Sequence, residues 1–156
     1  MPERDEEERL KMWREINRRF SEIVPFNKAL GLTVIRLEQS EAWLRLPYAD
    51  HLVGNPENGV MHGGAISSLM DAAGGSAAFM SLDDATPVAT LDLRIDYLKP
   101  ATPGCDVVGH ASCYKLTRNV AFVRGLAFHE DEADPVASVA ATFMIKTPLH
   151  RRDAPV

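Results

Sequence analysis

Asp71 is the residue of this chain whose type and setting point most directly to chemistry. It sits in HGGAISSLMDAAGGSAAFMS, residues 62–81, an apolar run of small residues without Lys, Arg or Glu. An unpaired carboxylate in apolar surroundings is costly, so this acid must be paired, protonated or turned toward a cleft. At helical spacing Ser67, Ser68, Gly74 and Gly75 share its face. Ile66, Leu69, Met70, Ala73 and Ala77 take the opposite side. The helix therefore has a greasy face for a sheet and a narrow face of small and polar groups carrying one acid.

The same helix starts at His62-Gly63-Gly64. Helix N-termini present unpaired amides and the positive end of the dipole. Glycines there let a substrate carbonyl approach the backbone. Asp71 is two turns beyond Gly64, about 10 Å along the axis. A substrate of two or three bonds' reach could span them, or the acid could come from a partner chain across an interface. An amide polariser with a carboxylate base or nucleophile suits hydrolysis of an activated ester. His62 shapes the helix start, with a direct proton role as its other reading.

Competing chemistries lack their signatures. His51, His62, His110, His129 and His150 show no paired metal-ligand spacing, so no metal is expected. There is no GxSxG elbow for a serine triad. Neither GxxxxGK[ST] nor GxGxxG occurs, so Gly63-Gly64 and Gly74-Gly75 are not phosphate loops.

The elements that position these residues follow from periodicity. Leu10, Trp13, Ile16, Phe20 and Ile23 draw one stripe, which predicts a helix over 5–24 with Asp5 and Glu8 as a capping box and Pro25 as its stop. A short connection, 26–31, leads to strands 32–38 and 41–47, joined at Gln39-Ser40. The long loop 48–61 carries Gly54, Asn55, Pro56, Asn58 and Gly59, turn chemistry of the kind functional loops use. After the buried helix come strands 88–98, 106–115, 120–129 and 136–145. In the first of these, Leu91, Leu93, Ile95 and Tyr97 alternate with Asp92, Arg94 and Asp96. Arg94 reads as one of an ion-pair row with those aspartates. Gly74 and Gly75 each cost about 1 kcal/mol in a helix relative to Ala, which implies close approach of another backbone. The tail, 146–156, reads as frayed.

The 156 residues and net charge of −5 bound the class. The length suits one domain. The acidic balance disfavours a nucleic-acid binder. No run reaches a membrane span, the charged N-terminus is no signal peptide, and Cys105 and Cys113 read as reduced packing residues, so a cytoplasmic domain is expected. Four final strands without crossover helices exclude a parallel α/β fold. One buried helix among antiparallel strands calls for an α+β fold with the sheet curled around the helix.

GNPENGVMHGGAISSLMD followed by TLDLRIDYLKPA resembles the hotdog-fold acyl-CoA thioesterases of the phenylacetate-pathway (PaaI) type. The resemblance covers roughly residues 31–145. It implies a hotdog fold with an added N-terminal helix, paired as a homodimer or a dimer of dimers (a homotetramer) with active sites at the subunit interface. It implies that Asp71 activates water or attacks the thioester, that the Gly64 amide polarises the carbonyl, and that Thr90 holds water. By simple alternation Thr90 falls on the polar strand face, so a local bulge is needed to turn it inward. A loop asparagine also serves the family's site; Pro56 occupies the usual position here, and Asn55 is preferred over Asn58. Gly63 and Ser68 border the substrate, and Lys99, Arg118 and Asn119 are candidates for coenzyme A. No cofactor is implied beyond the coenzyme A of the substrate itself. The acyl pocket is expected to draw on the first helix, the loop 48–59 and residues near Phe79. Two other functions fit the same residues, a hotdog dehydratase or hydratase on acyl thioesters and a non-catalytic acyl-CoA binder.

Overall fold

The computed structural model describes Lys11, Glu15 and residues 17–83 and 85–145. The Asp5 cap, the stripe residues Leu10, Trp13 and Ile16, and the tail lie outside these residues. Helix α2, Gly63–Phe79, runs through the middle of the fold. Strands β1 (Thr33–Glu38), β2 (Glu41–Leu46), β5 (Val88–Tyr97), β6 (Val107–Leu116), β7 (Val120–Phe128) and β8 (Ala137–Ile145) form one antiparallel sheet in the order β1-β2-β6-β7-β8-β5. Its inner face packs on α2. Ile66, Leu69, Met70, Ala73 and Ala77 are buried against Leu44, Val107, Val123 and Phe143, as the greasy helix face requires. No helix among the described residues is long and apolar enough to cross a membrane.

Several local expectations are corrected. Residues 26–31 are not a plain connection but follow Pro25 into a short helix, α1, Pro25–Leu30. Pro25 ends the preceding segment and opens α1, because the first helical turn needs no proline N–H. Gly31 closes it at φ 71°, donating its N–H to the Lys28 carbonyl. Upstream, Arg19–Ile23 form a π-helical turn rather than an unbroken α-helix. The loop 48–61 carries structure of its own. It contains a 3₁₀ turn, Asp50–Leu52, and a small hairpin of β3 (Val53–Asn55) with β4 (Val60–Met61). Finally, within one chain it is a side chain that crowds the twin glycines. A Cβ at Gly74 would stand 3.0 Å from the Phe143 ring, and one at Gly75 3.5 Å from it. It is an aromatic ring of the sheet that crowds the helix.

The two sheet edges differ. At β1, Asn17 acts as a substitute strand: its Nδ2 donates to the Val34 carbonyl at 3.2 Å and its Oδ1 accepts the Val34 N–H at 2.9 Å. This falls where the β1–β2 register shifts between Val34 and Arg36. The outer edge of β5 has no strand partner among the described residues, and Leu91 is exposed along it. Arg94 pairs with Asp96 at 3.2 Å on the exposed face, a contact of little energetic weight.

Candidate active site

Thr90 and Asp71 meet. The Thr90 hydroxyl donates to Asp71 Oδ1 at 2.7 Å. The β5–β8 register makes this contact possible: Thr90 opposes Phe143, but Asp92 opposes Thr142, leaving Leu91 as an inserted residue. That bulge puts Thr90 on the inner face with Leu93, Ile95 and Tyr97, where strict alternation would have put it outside. Asp71 itself is exposed on the single chain. It has not been driven into the core; it faces a cleft with a hydroxyl partner.

That cleft is a cavity of about 490 Å³, within the size range of small-molecule sites. Asp71, Ser67, Ser68 and Thr90 supply polar groups, while Phe20, Phe26, Val88, Leu93 and Phe143 supply apolar lining. Ser68 donates its hydroxyl to the Gly64 carbonyl at 2.8 Å, so it borders the cavity while tied to its own helix. Of the three expected walls, only the N-terminal segment takes part. The loop 48–59 packs at the helix start, and Phe79 is the last residue of α2, well beyond Asp71.

A second cluster forms at the start of α2. His62 is the N-cap, and its Nδ1 accepts the Gly64 N–H at 2.8 Å. Acceptance at Nδ1 places the proton of a neutral ring on Nε2. The Gly64 amide is therefore engaged by the imidazole of its own chain. An unpaired helix-end amide takes the nearest acceptor, and the imidazole two residues back is that acceptor. Gly54 lies so close that a Cβ on it would come within 2.8 Å of the His62 Cα, which sets the β3–β4 hairpin against the helix start.

Tyr97 is the site residue that the sequence reading did not single out. Its hydroxyl donates to the Gly63 carbonyl at 2.5 Å and bonds Ser67 Oγ at 2.6 Å. A Cβ on Gly63 would lie 3.1 Å from the Tyr97 ring. Gly63 is thus needed for the ring, and the ring locks the first turn of α2 to β5. Tyr97 also lines a second cavity, again about 490 Å³, with Gly63, Leu98 and Lys99. The inward alternation of β5 was the signal that could have found it.

The remaining candidates are not gathered at Asp71. Asn55 accepts the Glu57 N–H on its Oδ1 at 3.0 Å, and Asn58 accepts from Val60 at 3.1 Å, so both amides shape the loop. Lys99 is ion-paired with Asp134. Arg118 and Asn119 occupy the exposed turn between β6 and β7. Three other histidines have structural partners. His51 bonds the Ala29 carbonyl, His129 bridges Asp106 and Thr102, and His110 stacks on Trp43 between Glu41 and Glu132. No group of three or more His, Cys, Asp or Glu among the described residues is arranged to hold a metal. The clearest displaced titration lies away from the site: hydrogen bonds from Arg18 and then Arg19 pull the Glu15 carboxyl down to about 2.

A cleft-facing carboxylate beside a small-molecule cavity, on a helix whose first turn carries two glycines, equips a wrapped-sheet protein for attack on an activated acyl group. Comparison with known proteins gives this class its name. The model of the thioesterase superfamily matches residues 58–136, which include all of α2 and β5, and the chain belongs to that superfamily. It is a hotdog-fold thioester hydrolase. The medium/long-chain acyl-CoA thioesterase YigI of Escherichia coli K12 is 32% identical over 135 residues, 78% of this chain and 86% of its own. A solved structure from Pseudomonas aeruginosa is 46% identical, with a TM-score of 0.76 over 85% of this chain and 98% of that one. A variant of the phenylacetic acid degradation protein PaaI from Thermus thermophilus is 29% identical, with a TM-score of 0.69 over 78% of this chain and 99% of that one.

Proposed function

We propose that this chain hydrolyses acyl-CoA thioesters to the free acid and coenzyme A, with Asp71 as general base or nucleophile. The carrying observation is the Asp71 carboxylate, held by Thr90 at 2.7 Å at the wall of a cavity lined by both polar and apolar groups. Likeness to YigI supports the acyl-CoA substrate. In the water route, Asp71 takes a proton from water while the water oxygen bonds to the thioester carbon. The C–S bond then breaks, and the departing thiolate takes up the proton. In the covalent route an Asp71 oxygen bonds to the thioester carbon and the C–S bond breaks, releasing the coenzyme A thiolate. Water then cleaves the mixed anhydride to the free acid and the Asp71 carboxylate, and one water proton goes to the thiolate. In both, negative charge develops on the carbonyl oxygen, where the Gly64 N–H and the helix dipole stabilise it. His62 must then release that amide as the carbonyl arrives.

Asp71 and Gly64 are two turns apart on one helix, about 10 Å of rise. We therefore assign them to two half-sites that are completed by a second copy of the chain. Asp71 and Thr90 belong to one half; His62, Gly63, Gly64 and the Asn55 loop belong to the other. The β5 edge beside Thr90, without a strand partner among the described residues, supports pairing along β5 as a dimer, or as a dimer of dimers. Arg118 and Asn119 are read as contacts for the coenzyme A phosphates, and Lys99 only if it leaves Asp134. Two free cysteines fit a reducing cytoplasm.

The first experiment is thiol release from a panel of acyl-CoAs. Release by wild type is expected; none from folded protein would end the hydrolase assignment to acyl-CoA. The half-site arrangement has its own test. Gly64→Pro removes the amide in the first turn of α2, where the helix itself needs no N–H; the added Cβ would stand 2.9 Å from His62 Nδ1, so the imidazole of the same half-site must turn away. Mixed with Asp71→Asn and allowed to exchange subunits, this variant should regain activity, because one intact site forms per mixed dimer. Mixtures as inactive as their parents would show that each chain carries a complete site.

Two further outcomes are expected. Thr90→Val removes a hydrogen bond to a charged group, worth about 1.5–3 kcal/mol, so kcat should fall about 10–100-fold. An unchanged kcat would take Thr90 out of the reaction. Tyr97 is a positioning residue. Tyr97→Phe removes two neutral hydrogen bonds, to Gly63 and Ser67, and should lower kcat by about tenfold with KM little changed. A rise in KM alone would point to substrate contact instead.

A further inference from the structure

We infer that the segment from Asn17 to Leu30 is a strap that selects the acyl group, with Phe20 and Phe26 closing the Asp71 cavity to admit an uncharged, apolar acyl group of limited length. This rests on the thioesterase reading above. The strap is tied down at defined points. Asn17 makes a two-way bond to Val34 on the β1 edge. Asn27 donates its Nδ2 to the Phe20 carbonyl at 3.1 Å, clamping the π-helical turn to α1. The Leu32 N–H returns to the Asn27 carbonyl at 3.0 Å, which fixes α1 to the start of β1. Phe20 packs partly buried against the core, while Phe26 remains 60% exposed. Both line the cavity that Asp71 lines.

The lining states the ligand chemistry. Among the described residues of the cavity, Asp71 is the charged side chain, and no Lys or Arg lines it. An acyl group ending in a carboxylate would meet no cation there and would be repelled by Asp71. The Asn27 amide nitrogen is already engaged with the backbone. An alkyl or aryl group, by contrast, finds Phe20, Val88, Leu93 and Phe143 to pack against. The two phenylalanines come from a segment tied down by the Asn17 and Asn27 amides and by the buried Leu30, so a substitution at Asn17 or Phe20 can move this wall while Asp71 and Thr90 keep their own contacts.

The test compares kcat/KM across straight-chain acyl-CoAs, with succinyl- and glutaryl-CoA added, for wild type, Phe20→Ala and Asn17→Ala. Phe20→Ala should raise the ratio of long-chain to short-chain turnover by about tenfold, the scale of a methylene fitted or refused by an apolar pocket. Asn17→Ala, which frees the strap from β1, should flatten the chain-length preference. Wild type should turn over the dicarboxylic substrates at least about tenfold more slowly than neutral chains of equal length. A common scaling factor at every chain length in both variants would make the strap merely structural and overturn the inference. So would equal turnover of charged and neutral acyl groups. Failure of the hydrolase reading is seen separately, in wild type releasing no thiol from any substrate.

Discussion

Asp71→Asn is expected to lower kcat for acyl-CoA hydrolysis by about 10²–10⁴, the usual scale of a general acid–base contribution. The amide keeps the shape of the carboxylate and can still accept the Thr90 hydrogen bond, so the fold should be undisturbed. What it loses is the capacity to take a proton from water or to form an anhydride. The position is well chosen for an acid: it is exposed to the cavity, bonded to one hydroxyl at 2.7 Å, and part of a helix whose other face is anchored in the core. Steady-state kinetics should place the loss in kcat, and thermal melting should show no shift. Full activity in this variant would remove Asp71 from the mechanism and hand the chemistry to another group of the site.

The largest expected effect on stability is at Phe143. Its ring is 1% exposed on the inner face of β8 and fills the space above Gly74 and Gly75. Phe143→Ala should cost about 3–5 kcal/mol, from lost burial and the void left behind. At roughly 3 °C per kcal/mol for a domain of this size, the melting temperature should fall by about 9–15 °C. The glycine supplies a control. In wild type, Gly74→Ala sets a gain in helix propensity of about 1 kcal/mol against a Cβ 3.0 Å from the ring. In the Phe143→Ala background the ring is gone, and the same alanine should stabilise by about the full propensity difference. A double-mutant cycle by thermal or urea unfolding measures that coupling. Additive effects would mean that the ring and the glycines are independent. Phe143 also lines the Asp71 cavity and opposes Thr90 across β5–β8. The loss of stability should therefore come with a looser site.

Much of this protein was legible along the chain. The 3.6-residue spacing around Asp71 was enough to separate a buried face from a small polar one, and α2 begins at Gly63 as its histidine and glycines suggest. The strands of the sheet were evident from alternation and turn residues, to within a residue or two. Pro25 and Gly31 carry the signature of α1, an N1 proline and a left-handed C-terminal glycine, but the helix is only six residues long and its spacing is that of a connection. Short helices are held by packing more than by propensity, so periodicity has little to register.

Residue order alone dictates the helix that carries the acid, the glycine pair at its start and the succession of strands around it, because these depend on neighbours within one or two turns. Which side chains reach Asp71 is settled only in the packed fold. Thr90 turns inward because the pairing of β5 with β8 leaves Leu91 inserted, and a bulge is a property of two strands rather than one. His62 occupies the Gly64 amide because a helix-end N–H has no partner within the helix and takes an acceptor that lies near. Tyr97 bonds Gly63, and Asn17 bonds Val34, across 34 and 17 residues of chain. Such contacts depend on distances in space between residues far apart in sequence, and those distances exist only once the sheet has closed around the helix.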